Sequence, residues 1–164
     1  MAKIQRQEST GSARRFHLEE NPGFLFGFLF GRLRARMVVA LGAEVDGLDI
    51  TPTQCGVLIR LASGMGRTSA ELCRTSNSDM GSMTHMLDRM EEKQLIARER
   101  STEDRRVVEI RMTEHAWAIY PQILDAGQRM LERASVGFTP EELEQFERLL
   151  LRMLGNLAPE ELAT

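Results

Sequence analysis

The chain has 164 residues, which is enough for one compact domain with a proper hydrophobic core. Hydrophobic residues make up 42% of it and charged residues 27%, as in an ordinary soluble globular protein. The formal net charge is -3, so the total charge does not indicate nucleic-acid binding. Any such function depends on where the basic residues lie.

The cysteines and histidines are few and scattered along the chain. Cys55 and Cys73 form no Cys-x-x-Cys pair, which argues against a disulfide scaffold and against a four-ligand zinc site. His17, His85 and His115 show no metal-binding spacing. We therefore expect no metal, no cofactor and two free thiols in a reducing cytoplasm.

The first 20 residues are polar and carry both charges, which predicts a flexible N-terminal arm. They contain no cleavable signal, and the apolar run at 24–30 is broken by Gly27 and too short to span a bilayer. We expect a single domain at residues 21–157, a C-terminal tail at 158–164, and no membrane partner.

Helix starts are indicated by capping residues, three of them followed by proline, with apolar residues at helical spacing beyond each start. In chain order, the predicted elements are helices at 21–43 and 51–64, a short helix from Thr68 or Ser69, a helix from Asn77 or Ser78 to about Lys93, strands at 95–100 and 107–112, a long helix from Thr113 and a last helix from Thr139. This order predicts a mainly α fold with a small β-hairpin.

The short helix, the turn at 74–77 and the next helix form a helix-turn-helix unit, whose second helix enters the DNA major groove. At 100° per residue, the inward face of that helix carries Met80, Met83, Leu87 and Met90. The outward face carries Ser78, Ser82, His85 and Arg89. Polar side chains of this kind suit base edges. The alternative is an ordinary amphipathic helix with a solvated polar face.

The predicted hairpin is rich in charge. Its basic residues are Arg98, Arg100, Arg105, Arg106 and Arg111, and its acidic residues are Glu99, Glu103, Asp104 and Glu109. A basic, flexible tip suits phosphates or the minor groove, whereas Asp104 is expected to pair with Arg106 or to cap the turn. The alternative is a solvated turn without a partner.

Together these residues resemble the MarR (multiple antibiotic resistance regulator) family of winged helix-turn-helix regulators. The matching segments are residues 82–91, Leu95-Ile96, Arg98, Asp104-Arg105-Arg106 and Met112-Thr113. The order of helices also matches over about residues 21–157. The resemblance implies a winged-helix core at about 51–113, with dimerisation helices at about 21–46 and 113–157.

The resemblance implies groove contacts for Ser78, Ser82, Thr84 and His85. The candidates for DNA binding are Thr68, Ser78, Ser82, Thr84, His85, Arg89, Arg98, Asp104, Arg105 and Arg106. Among them, Arg106 is the wing arginine and Asp104 positions it. His85 stands where arginine is common, which changes the expected base preference. Gln94 stands where glycine is usual, which predicts a differently shaped turn.

The first and last helices carry more apolar surface than a small winged domain can cover. The resemblance implies a homodimer in which these helices interlock, presenting two recognition helices to a pseudo-palindromic operator in double-stranded DNA. The alternative is a monomer with a larger helical core.

The resemblance further implies a pocket for a small aromatic acid or phenolic effector, between the dimer helices and the winged lobe. Phe24, Phe28 and Arg32 recur every four residues beside a row of glycines, and aromatic walls with one arginine suit an aromatic carboxylate. The full set of candidate ligand residues is His17, Phe24, Phe28, Arg32, Cys55, His115, Trp117 and Tyr120. The alternative is that the phenylalanines fill a core and Arg32 lies on the surface.

We expect a sequence-specific DNA-binding regulator that acts as a repressor and is released by an aromatic carboxylic or phenolic compound. One alternative is a redox-sensing repressor that uses Cys55 or Cys73, and another is a winged-helix module that binds proteins instead of DNA. An enzyme is not expected, because the sequence has no Gly-x-Ser-x-Gly elbow and no phosphate-binding glycine loop.

Overall fold

A computed structural model describes residues 22–76 and 78–159 of the chain. The chain divides after Ala35 into two compact units, and the boundary falls within the first helix. The elements are α1 (Pro22–Val45), a 3-10 turn (Asp46–Leu48), α2 (Pro52–Ala62), α3 (Ser69–Ser76), α4 (Met80–Glu92), β1 (Ile96–Arg100), β2 (Val108–Met112), α5 (Glu114–Ala134) and α6 (Pro140–Leu157). In these ranges no helix is long and apolar enough to cross a membrane.

The helix starts predicted at threonine-proline pairs are confirmed. The Thr51 hydroxyl accepts from the backbone N–H of Gln54, and the Gln54 side chain accepts from the Thr51 N–H. Thr139 and Glu142 form the same reciprocal pair at the start of α6. Each box satisfies two backbone donors that the helix leaves without partners, which stabilises a helix start by about 1 kcal/mol.

The start of α4 differs from the prediction. The capping residue is Asp79, whose Oδ1 accepts from the Ser82 N–H at 2.9 Å, and not Ser78. Asn77, the other residue proposed for this role, lies outside the described residues. Met80 is therefore the first residue of the helix, and its side chain is 52% exposed instead of turned into the core. The first turn of α4 extends past the edge of the core, so the inward face begins at Met83.

The predicted hairpin is confirmed as an antiparallel pair of strands. Its register runs from Ile96 opposite Met112 to Arg100 opposite Val108. A further contact was not predicted: the Ile110 N–H donates to the Arg67 carbonyl at 2.7 Å. This bond attaches the second strand to the segment that leads into α3.

The second unit contains a hydrophobic core built from α2 to α5 and the hairpin. Its largest fully buried side chains include Leu58, Leu72, Met83, Leu87, Met90, Leu95, Ile96 and Ile123. Three of these belong to α4, so α4 is fixed in the core along one face. The opposite face of α4 is left for solvent or a partner.

The turn after α4 was expected to change shape because Gln94 replaces a usual glycine. The structure instead holds Gln94 in the left-handed region, with φ of 56°. Glycine is favoured in that region because it has no Cβ to clash with the backbone. The Thr113 hydroxyl donates to the Gln94 carbonyl and so braces the turn.

The terminal helices expose long apolar faces. In the described part of the first unit, the exposed large apolar residues are Phe24, Phe26, Phe28, Leu29, Phe30 and Leu33. In the second unit, α6 has no buried residue at all and exposes Leu143, Phe146, Leu149, Leu151, Met153, Leu154 and Leu157. Exposed apolar surface on this scale is characteristic of an interaction surface.

Candidate nucleic-acid interface

The outer face of α4 presents polar side chains at helical spacing. Ser82, His85 and Arg89 are exposed, and Ser78 just before the helix is half-buried. All four were predicted to face outward. The buried Met83 lies on the other side of the helix. Because the core fixes that side of the helix, its polar face keeps one orientation relative to the rest of the unit.

Two further candidate DNA contacts also bond to the backbone. The Thr84 hydroxyl is exposed and donates to the Met80 carbonyl at 2.8 Å, which leaves its oxygen free to accept. Thr68 caps α3: its hydroxyl accepts from the Glu71 N–H, while the Glu71 carboxylate accepts from the N–H groups of Arg67 and Thr68. The Arg67 N–H bond is the main reason why the pKa of Glu71 is lowered.

The tip of the hairpin, residues 101–107, is called the wing below. Asp104 Oδ1 accepts from the Arg106 N–H at 2.9 Å and lies 3.6 Å from the Arg106 Nε. The Asp104 carbonyl accepts from Val107, whose own carbonyl accepts from Ser101. Asp104 therefore makes both contacts considered for it, the turn cap and the ion pair. The Arg106 side chain is 95% exposed and projects from the shaped loop.

A shallow depression of about 400 Å³ lies beside the wing and is lined by Arg100, Ser101, Thr102 and Arg105. Within the described ranges, neither of its arginines forms an ion pair with a carboxylate. Two guanidinium groups next to a hydroxyl are suitable donors for a phosphate group of DNA. The sequence predicted a basic tip but not this arrangement.

Arg98 lies apart from the wing arginines and is engaged by α4. Its Nη1 is 2.6 Å from Glu91 Oε2 and its Nη2 is 2.7 Å from Asp88 Oδ1. The Asp88 hydrogen bond is the main reason why the pKa of Arg98 is raised above its usual value. The sequence grouped Arg98 with the DNA-contacting arginines. The three-residue spacing of Asp88 and Glu91 is the signal that could have identified the bridge.

Arg111 is also paired, but only within the hairpin. Its Nε is 3.2 Å from Glu99 Oε2 and its Nη2 is 2.9 Å from Glu109 Oε2. The five hairpin arginines therefore differ in how they are paired. Arg98 and Arg111 each contact two carboxylates, and Arg106 contacts Asp104 alone. Within the described ranges, Arg100 and Arg105 form no ion pair.

Both cysteines are buried, contrary to what a peroxide-sensing thiolate requires. Burial raises the pKa of the Cys55 thiol to about 11. The pKa of Cys73 is also raised, by burial and then by the charge of Asp79, and its sulfur lies 3.2 Å from that of Met80. In the part of the chain that the structure describes, no three His, Cys, Asp or Glu residues cluster as a metal site.

Three of the candidate ligand residues belong to the first unit. Phe24, Phe28 and Arg32 are exposed and recur at four-residue spacing along α1, which places them on one side of the helix. His17, assigned to the same pocket, lies outside the described residues.

The other candidate ligand residues belong to the second unit. Trp117 and Tyr120 contact each other edge to face, with ring centroids 5.6 Å apart, and Trp117 is half-exposed. His115 is exposed near the start of α5, whereas Cys55 is fully buried in the core. Cys55 therefore has no surface that a ligand could touch in this conformation.

Comparison with known proteins places these features in context. A family model described as MarR family matches residues 50–108, which run from just before α2 to the start of β2. The multiple antibiotic resistance protein MarR of Salmonella typhimurium is 33% identical over 115 residues, which cover 70% of this chain and 80% of the relative. The HTH-type transcriptional repressor MdtR of Bacillus subtilis is 27% identical over 125 residues, covering 76% of this chain and 78% of the relative.

Solved structures show the same similarity in three dimensions. A mutant MarR from E. coli, complexed with operator DNA, superposes with a TM-score of 0.73 at 28% identity. The match covers 84% of this chain and 96% of that protein. The curated relatives are regulators of transcription and not enzymes, in agreement with the prediction of a non-catalytic protein.

Proposed function

The chain belongs to the MarR family of transcription regulators, and from this premise we propose that it represses transcription by placing α4 in the major groove of an operator. The observation that carries the proposal is the exposed row of Ser82, His85 and Arg89 on a helix whose other face is fixed in the core. Residues of these types form hydrogen bonds with base edges. The arginines of the wing supply the phosphate or minor-groove contacts.

Two of the relatives support this proposal. The Bacillus subtilis relative is named as a repressor, and the E. coli structure contains operator DNA. Action on DNA also agrees with the cytoplasmic location expected from the sequence.

The test is selection of duplexes from a randomised library with the wild-type protein, followed by fluorescence anisotropy at increasing salt. We expect enrichment of a defined motif. Binding through 6–10 phosphate contacts should weaken by roughly 10³–10⁵ between 50 and 200 mM salt. A library that shows no enrichment would instead favour a winged-helix module that binds proteins.

We propose in addition that two chains bind one operator as a homodimer. The apolar faces of the terminal helices support this arrangement, because a single chain leaves them uncovered. Two-fold symmetry predicts a pseudo-palindromic motif with half-site centres about 34 Å apart or a multiple of that distance. A selected motif without inverted symmetry would contradict the proposal.

We propose that an aromatic carboxylic or phenolic compound binds beside α1 and releases the protein from DNA. The support is the exposed row of Phe24, Phe28 and Arg32, which recur every four residues on one side of α1. Calorimetric titration with benzoate derivatives tests it, with Arg32→Ala as the variant. Arg34→Ala is the control, because Arg34 is exposed on the same helix and points about 200° away from Arg32. Equal affinity for wild type and Arg32→Ala would exclude the role of Arg32.

A further inference from the structure

One side chain joins the first strand of the hairpin to the recognition helix. Arg98 extends from β1 and bonds Glu91 at 2.6 Å and Asp88 at 2.7 Å, each through a different nitrogen of its guanidinium group. Asp88 and Glu91 are three residues apart on α4, so they lie on the same side of the helix. The planar fork of arginine fits two carboxylates at once, which the single ammonium of lysine does not.

The second strand has its own attachment. The Ile110 N–H donates to the Arg67 carbonyl at 2.7 Å, and Arg98 stands opposite Ile110 in the register of the sheet. The hairpin is thus attached at the Arg98–Ile110 pair through both strands, by the side chain of Arg98 and by the backbone N–H of Ile110. From this pair, the strands continue toward the wing.

The charge of Arg98 is already compensated. Two carboxylates hold its guanidinium, the side chain is only 28% exposed, and the three groups together carry one negative charge. A cation that is already paired with two carboxylates attracts a phosphate only weakly. By contrast, the Arg106 side chain is 95% exposed.

From this geometry we propose that Arg98 is a positioning residue, which fixes the distance between α4 and the wing and makes no contact with DNA itself. The inference rests on the proposed DNA binding and deepens it. A site that reads bases through α4 and phosphates through the wing requires both at a set separation. A bridge that fixes this separation in the free protein reduces the conformational entropy lost when the protein binds DNA.

The test compares Arg98→Lys with wild type on two duplexes, the one selected from the library and a scrambled one of equal length. Lysine keeps the charge but does not span both carboxylates. We expect affinity for the selected duplex to fall roughly three- to tenfold, the range for losing two partly exposed ion pairs, while affinity for the scrambled duplex stays unchanged. The slope of log affinity against log salt should also stay at the wild-type value.

The bridge is also removed from its other end by the double variant Asp88→Asn, Glu91→Gln. This variant changes the local charge in the positive direction, yet the ratio of the two affinities should fall as it does for Arg98→Lys. Hydrogen exchange measures whether the wing is less well held without the bridge. The amides of Ser101 and Val107, which are hydrogen-bonded within the wing, should exchange faster in both variants. Arg111→Gln is the matched control, because Arg111 pairs with two carboxylates of the hairpin alone.

The outcomes separate the two proposals. A wild-type protein that selects no duplex overturns both. If wild type binds and Arg98→Lys keeps the wild-type affinity ratio and wing exchange, the positioning role is wrong while DNA binding stands. If Arg98→Gln weakens both duplexes equally and lowers the salt slope by about 0.9, Arg98 contacts a phosphate after all. Melting temperatures verify that each variant is folded.

Discussion

His85 is exposed on the outer face of α4, three residues after Ser82 and four before Arg89. Its imidazole offers one donor and one acceptor, whereas an arginine offers the paired donors that guanine accepts. We expect His85→Ala to change the preferred base at one position of each half-site, with about 1–3 kcal/mol of discrimination lost there. Renewed selection from the randomised library with the variant measures the change.

The control for His85 is Arg106→Ala. This variant removes a side chain that projects from the wing. It should weaken binding to all sequences alike and lower the slope of log affinity against log salt by about 1. A His85→Ala protein that selects the wild-type motif would show that the outer face of α4 does not read bases.

Gln94 is held in a conformation that its side chain disfavours. A residue other than glycine in the left-handed region destabilises the fold by roughly 1–2 kcal/mol. Glycine removes this strain but loses more conformational freedom on folding, which offsets part of the gain. We therefore expect Gln94→Gly to raise the free energy of unfolding by about 0.5–1 kcal/mol. Urea denaturation measures it. Gln94→Ala removes the same polar group but keeps Cβ, so an equal gain in that variant would mean that strain is not the cause.

Single positions on α4 show what sequence alone predicted. The outward direction of Ser82, His85 and Arg89 follows from helical spacing, which is a local property. The exposure of Met80 was missed because it depends on Asp79 capping the helix and on where the core ends. Helical spacing assigns a direction to each side chain but does not say how far the core extends along the helix.

At the scale of elements, α3 begins at a charge-dependent cap. The Glu71 carboxylate accepts from the Arg67 N–H at 2.7 Å and from the Thr68 N–H at 3.1 Å, and its pKa is lowered below 4.5. A lowered folded-state pKa means that the stabilisation is present above pH 4.5 and lost as pH falls through the lower value.

We expect Glu71→Gln to reduce the free energy of unfolding by roughly 1 kcal/mol at neutral pH, since a charged acceptor is replaced by a neutral one. The difference from wild type should narrow as pH falls below 4.5 and through the lowered pKa of Glu71. Urea denaturation at several pH values measures it, with the exposed Glu92→Gln as control. A difference that does not depend on pH would argue against the carboxylate cap.

Most elements were predictable because their starts are encoded by neighbouring residues, as at Thr51 and Thr139. The attachments of the hairpin were not, because they join residues that are distant along the chain. The Arg67–Ile110 bond spans 43 positions, and the Arg98 bridge connects a strand to a helix. Spacing rules describe one element at a time, so they predicted a charged hairpin without its orientation relative to α4.

At the scale of the whole molecule, the net charge of -3 conceals an uneven distribution. The Arg106 side chain projects from the wing and is 95% exposed, while the first turn of α6 contains Glu141 and Glu142. A polyanion is attracted by the local arrangement of charge, and total charge has little influence once salt screens distances beyond about 10 Å. The local charge at the wing therefore matters more for DNA binding than the net charge of the chain.

The apolar face of α6 provides the last prediction. Phe146 is 43% exposed and shares one side of the helix with Leu143, Leu150 and Leu154. In the proposed homodimer, a charge placed there would have to be buried between two chains, at a cost of several kcal/mol. We expect Phe146→Glu to shift the protein in sedimentation velocity from twice the chain mass toward 18.6 kDa.

Gln145→Glu is the control for this variant, because it adds the same charge one residue away on the exposed polar side of α6. It should leave the dimer intact. Because a monomer presents one recognition helix, Phe146→Glu should also bind a duplex with two half-sites no more tightly than a duplex with one. A Phe146→Glu protein that stays dimeric and keeps its preference for two half-sites would exclude α6 from the interface.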